Sequence, residues 1–115
     1  MEKLNSKEYD GVVLYELENG WNFCIHQGIV FFGSSMSEAC LAVCTPYDEQ
    51  APTSGNGVMV AFHGGSKEGV DALYAKAISL GATCDGEPGQ RIPDVFYGAY
   101  VRDAEGNKLC FCHFG

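Results

Sequence analysis

At 115 residues the chain has the length of one domain with one substantial core, and 46% hydrophobic against 19% charged residues is the balance of an ordered globular protein. A formal net charge of −8 repels phosphate backbones, which argues against nucleic acid as a partner. No apolar run approaches the roughly 18 residues of a membrane span, and the opening MEKLNSKEYD is charged where a secretory signal would be apolar, so a cytoplasmic location without a membrane partner is expected.

In chain order, residues 2–18 place Leu4, Val12, Val13 and Leu17 at rough helical spacing, with Gly11 weakening the helix and Gly20 stopping it. WNFCIH (21–26), GIVFFG (28–33) and ACLAVC (39–44) are short strand-like runs. TPYDEQAPTSGNG (45–57) has loop composition. VMVAFH (58–63) is a strand broken by Gly64-Gly65. Ser66 is a good N-cap, because its hydroxyl can accept from a free N–H of the first turn. Val70, Leu73, Tyr74, Ala77 and Ile78 then share one helical face, and Gly81 ends the helix. ATCD (82–85) is a short strand and GEPGQRIPD (86–94) a loop carrying two prolines. VFYGAYVRD and NKLCFCHF are strands joined by Asp103-Ala104-Glu105-Gly106, the composition of a type I turn followed by a left-handed glycine.

The element order is therefore α-β-β-β followed by β-α-β-β-β: a truncated first module (1–50) and a complete second one (51–115) within a single domain. The expected fold is α+β, paired βαβββ modules forming a curved mixed sheet, or cup, with helices outside and the first strand of the first module missing.

The six cysteines should be reduced without an export signal. Their spacings, Cys40-x3-Cys44 and Cys110-x-Cys112 with Cys24 and Cys84 alone, include no zinc-type C-x2-C pair. If Gly106 forms a bulge, Asp103 faces Asn107, Tyr100 faces Cys110 and Gly98 faces Cys112. Alternation then puts Gly98, Tyr100, Arg102, Lys108, Cys110 and Cys112 on one face, and Tyr97, Ala99, Val101, Leu109, Phe111 and His113 on the other. The second set is more apolar and belongs under the helix. By the same parity Met59, Ala61 and His63 join the first set, while Val60 and Phe62 join the second. Cys110 and Cys112 thus point away from His113, a poor arrangement for three ligands on one ion. A four-thiol site with Cys40 and Cys44, a reactive thiol and an inert lining of core or pocket remain as readings of the pair.

FYGAYVRDAEGNKLCFCHF resembles the C-terminal signature of the glyoxalase / bleomycin-resistance / extradiol-dioxygenase group, the vicinal-oxygen-chelate superfamily. TPYDEQAPTSGNGVMVAF, SKEGVDALYAKAISLGA and CDGEPGQR are similar to further stretches of that group, and MEKLNSKEYDGVVL looks like its first helix. The resemblance implies the cup fold and a homodimer. It also implies that the metal-ligand positions of the fifth and last strands match Met59 and Cys110, with the fourth-strand position near Ala42 and the first ligand on the absent strand. A hard oxygen-and-imidazole metal site is therefore not expected, and no cofactor is expected.

The candidate ligand pocket comprises Met59, Ala61, His63, Tyr100, Arg102, Cys110, Cys112, Arg91 and Trp21. Tyr100 offers a phenol or simple packing, His63 a general base or an exposed strand end. Arg91 offers a carboxylate clamp or a solvated loop side chain, and Trp21 a helix-end anchor or a stacking surface for cations. The expected function is metal-independent binding of a small molecule, cationic or aromatic. The alternatives are a glyoxalase-like lyase or isomerase with a non-standard site, and a truncated partner subunit without catalysis.

Overall fold

A computed structural model of the chain describes residues 5–9, 12–16, 22–26, 29–33 and 39–115. They divide into two compact units, 1–51 and 52–115, within a mixed α+β fold.

The first unit is a five-stranded antiparallel meander of β1 (Asn5–Tyr9), β2 (Val12–Glu16), β3 (Asn22–His26), β4 (Ile29–Gly33) and β5 (Ala39–Cys44), in that order across the sheet. The three strands expected between 21 and 44 are present. The helix expected over 2–18 is not: its described residues form two paired strands, with Tyr9 opposite Val12. The physical reason is legible in hindsight. That register leaves Asp10-Gly11 between the strands, and Asp-Gly is a preferred pair for two-residue hairpin loops. The β-branched and aromatic run Val12-Val13-Leu14-Tyr15 has strand propensity, which outweighs a loose helical spacing of four apolar residues. The antiparallel pair β1–β2 therefore stands where a helix lacking its opening strand was expected.

The second unit is a βαβββ module. β6 (Met59–His63) leads through Gly64-Gly65 to α1 (Lys67–Ser79), followed by β7 (Thr83–Ile92), β8 (Phe96–Arg102) and β9 (Lys108–His113). The sheet order is β6-β9-β8-β7. β6 runs parallel to β9, and the other pairs are antiparallel. Among the described residues no helix is long and apolar enough to cross a membrane.

α1 starts where the sequence said it should. Ser66 is extended, and its Oγ accepts from the Gly69 N–H at 3.0 Å, satisfying one of the free amides of the first turn. Gly81 closes the helix at φ +105°, a conformation costly for residues with a Cβ. α1 packs on one face of the sheet through a core of Val70, Ala99, Val101 and Phe111, with Phe62, Tyr74, Ala77, Tyr97 and Leu109 around it. Leu73 and Ile78, expected on the same helical face, are each 37% exposed, so the buried stripe of α1 is narrower than the apolar spacing implied. Tyr97, at the rim of this interface, donates from its hydroxyl to Asp71 Oδ1 at 2.6 Å. That bond ties β8 to the helix and, with burial, raises the Tyr97 pKa.

The stretch 86–94 is mostly strand rather than loop. β7 continues to Ile92 by accommodating irregularities in its pairing with β8 after Cys84, Gly86 and Gln90. As an edge strand it tolerates Pro88 and the glycines.

The β8–β9 hairpin follows the expected register, with Tyr100 opposite Cys110 and Gly98 opposite Cys112. Its turn is organised by Asp103. Oδ1 accepts from the Glu105 and Asn107 amides at 3.0 and 2.8 Å, Oδ2 accepts from Asn107 Nδ2 at 3.0 Å, and Gly106 takes φ +87°. Burial pushes the Asp103 pKa up, but the hydrogen bonds from Asn107, Glu105 and Gly106 outweigh it and leave the pKa lowered. A depressed folded-state pKa contributes stability above the unfolded-state pKa, and that contribution is lost as pH falls through the folded value. Asp103→Ala should therefore cost about 2 kcal/mol at neutral pH, the order of a charge-assisted hydrogen-bond cluster. The gap to the parent in urea titrations should shrink below about pH 4. An unchanged gap between pH 7 and 3 would mean the carboxylate charge is not what holds the turn.

Candidate functional site

Within the second unit α1 covers one face of the sheet, and the candidate residues occupy the other. Strand register arranges them in rows. Met59 lies beside Lys108, which faces Arg102. Ala61 lies beside Cys110, which faces Tyr100, opposite Gly86. His63 lies beside Cys112, which faces Gly98, opposite Gly89. The face assignment expected from alternation thus holds on β6, β8 and β9, with Phe62 packed against the α1 core, Val60 half-buried, and Met59, Ala61 and His63 exposed.

Tyr100 is the centre of this face. The Arg91 guanidinium carbon lies 5.4 Å from its ring centroid and Lys108 Nζ 5.1 Å, both within cation–π range. Gly86 permits this approach: a Cβ there would lie 2.8 Å from Tyr100 Cδ2 and 3.3 Å from Arg91 Nη2. Arg91 also donates to the Glu87 carbonyl. Asp85 receives Arg102 Nε at 3.1 Å and Lys108 Nζ at 3.3 Å. The Lys108 hydrogen bond is the main reason its carboxyl is held below the usual range, against an opposing effect of burial. Arg102 makes a further bond to the Gly106 carbonyl at 3.1 Å. Solvent screens pairs this exposed; they shape the face more than they stabilise the fold.

Cys110 and Cys112 lie on this face but are buried, at 0% and 2% exposure. Burial above all, with Cys112 alongside, pushes the Cys110 thiol up to about 11, against the smaller opposing pull of Lys108 and Arg91. A thiol in that state is protonated at neutral pH and a poor nucleophile. The exposed thiols of the described side chains are Cys44 and Cys84. Cys84 lies on the helix side, where its hydrogen bond to Tyr74, together with burial, raises that phenol to about 12.

His63 is exposed, and its ring packs on Phe114 with centroids 5.5 Å apart. Phe114 in turn meets Phe96 edge-on at 5.5 Å. Trp21, and the side chain of Cys40, lie outside the described residues. The features that sequence reasoning missed are Asp85, which organises two of the cations, and Gly86, which admits the Tyr100 ring. Both lay in a stretch read as the end of a short strand and a loop, so no face could be assigned to them.

The positions that the family resemblance equates with metal ligands hold a thioether exposed to solvent (Met59, 46% exposed) and a buried, protonated thiol (Cys110). Among the described residues no three His, Cys, Asp or Glu side chains converge as a metal site. This donor set does not fit a hard divalent cation.

No protein-family model matches this chain, and no curated protein matches it closely. A solved structure does: a glyoxalase/bleomycin resistance protein from Albidiferax ferrireducens T118. It is 36% identical, with a TM-score of 0.69 over 79% of this chain and 73% of that one. The chain belongs to the glyoxalase/bleomycin-resistance family. The βαβββ module expected from element order and the Tyr100–Cys110 register expected from a Gly106 bulge are both present. A hypothetical protein from S. aureus shares the fold at 19% identity, with a TM-score of 0.60 over 89% of this chain and 76% of that one.

Proposed function

We propose that this glyoxalase/bleomycin-resistance family member is a metal-independent binder of a small aromatic molecule. The observation that carries this reading is the sheet face opposite α1. It presents Met59, Ala61 and Tyr100 as apolar and aromatic surface, with a few polar groups at its margins, the composition of a small-molecule site. Metal independence is supported by the unsuitable donors at Met59 and Cys110. Of the two expected ligand types, cationic and aromatic, this face favours the aromatic one, because Arg91, Arg102 and Lys108 outnumber Asp85. A lyase or isomerase on the same face has less support, since its nearest thiol, Cys110, is protonated at neutral pH. A homodimer belongs to this reading, supported by the edge positions of β6 and β7 in the sheet of their unit.

Native mass spectrometry with elemental analysis, followed by titration with benzyl alcohol under amide NMR, tests it. The expected result is a metal-free dimer with shifts confined to residues 59–63, 98–102 and 108–112, lost in Tyr100→Ala. Stoichiometric zinc, nickel or iron would overturn metal independence. Shifts scattered over the surface would overturn the site.

A further inference from the structure

The chain carries seven Lys and Arg against fifteen Asp and Glu. Three of those seven, Arg91, Arg102 and Lys108, gather around Tyr100 on one sheet face. One carboxylate, Asp85, pairs with two of them, both through its Oδ2. Arg91 makes no ion pair among the described residues and keeps only the Glu87 carbonyl and the Tyr100 ring. The local balance on an acidic molecule is therefore positive. A concentration of cations against the sign of the whole chain places an attractive field at one spot.

The apolar surface beside these cations is the exposed Ala61, in the row of Cys110 and Tyr100, with Met59 at the margin next to Lys108; the space over Gly86 and Gly98 is taken by the Tyr100 and Phe96 rings. A planar ring fits against such a surface while an acid group reaches the guanidinium and ammonium groups. The contacts that hold Arg91 are a cation–π interaction and one carbonyl, both weaker than a bidentate bond to a carboxylate. The guanidinium is thus positioned without being consumed.

The geometry points to a small aromatic carboxylate as the ligand of this face, its ring over Ala61 beside Tyr100 and its carboxylate between Arg91 and Lys108. A carboxylate is favoured over a phosphate ester because the face offers side-chain cations only. α1 packs on the opposite side of this unit's sheet, so among the described residues of the unit no helix N-terminus faces a phosphate there. This inference rests on the binding reading above and adds the charge of the ligand.

Three probes of matched shape separate the two claims: benzoate, benzyl alcohol and benzylammonium, titrated into the full chain under amide NMR at about 10 mM and below, where fragments of this size bind. Benzoate should bind about tenfold more tightly than benzyl alcohol, and benzylammonium most weakly. The benzoate preference should fall as sodium chloride is raised. Arg91→Gln, a change at an exposed side chain, should remove most of that preference, read as the ratio of benzoate to benzyl alcohol affinity within the same variant, and Lys108→Gln should reduce it as well. Equal binding of all three probes would overturn the carboxylate inference and leave the aromatic site standing. A benzoate preference that survives both substitutions would also overturn it. Binding of none of them would overturn both.

Discussion

Phe111→Ala should cost about 3–5 kcal/mol of folding stability, the range for deleting a buried aromatic ring from a packed core. Phe111 is 8% exposed and sits in the cluster with Val70, Ala99 and Val101 that joins α1 to the sheet. Its ring also meets Phe62 on β6, at a centroid separation of 6.3 Å and a tilt of 32°, within the range for favourable aromatic pairs. Truncation loses the transfer energy of the ring and leaves a cavity beneath α1. Against a total stability of about 5–15 kcal/mol this is a large share, and melting should fall on the order of 10 °C or more. Urea unfolding of the variant is the measurement. A loss below about 1 kcal/mol would mean that the β8–β9 layer closes over the void, and that the helix–sheet core lies elsewhere.

Gly69→Ala should destabilise the protein by about 1–3 kcal/mol through overpacking, although alanine is the better helix former by about 1 kcal/mol. The two effects have opposite signs, so the experiment discriminates between them. Gly69 lies in the first turn of α1, where its N–H bonds Ser66 Oγ. A Cβ at Gly69 would collide with the Gly64 carbonyl, a backbone atom that cannot swing aside. The reciprocal contact is as close: a Cβ on Gly64 would stand 2.7 Å from the Val70 amide nitrogen. The end of β6 and the start of α1 thus meet backbone to backbone. The Gly64 N–H is anchored there by the Cys112 carbonyl at 2.8 Å. A rise in melting temperature for Gly69→Ala would show that the helix start moves freely off the strand and that propensity decides. That outcome would also weaken the placement of His63, whose position depends on the same junction.

Both predictions fall in the half of the chain where local signals agreed with one another. Ser66 followed by an apolar helical face, Gly81 at its end, and Asp103 to Gly106 between two alternating strands each specify structure within a few residues. Together they made α1, β8, β9 and their register readable in advance. The faces followed from register, because side chains alternate strictly along a strand once one pair is placed. Family membership was legible from the same stretch. The first 18 residues show the reverse. Four apolar residues at loose helical spacing competed with an Asp-Gly pair and a β-branched run, and the strand reading won because pairing with β3 supplies hydrogen bonds that local spacing does not reveal.

The residues of the candidate site divide along the same line. Sequence alternation by itself determined that Tyr100, Cys110 and Cys112 share one face and that Met59, Ala61 and His63 share one, since that property is set by covalent geometry and a single turn; the parallel pairing of β6 with β9 joined the two sets. Tertiary structure alone decided that Cys110 is buried with a protonated thiol, because burial depends on what packs above a strand and not on its own sequence. It alone decided that β7 runs on to Ile92, so that Asp85 meets Arg102 and Lys108, and Gly86 lets Arg91 reach Tyr100. Those contacts join residues 9 to 23 positions apart across three strands, and irregular pairing along β7 breaks the two-residue period from which a face could have been read.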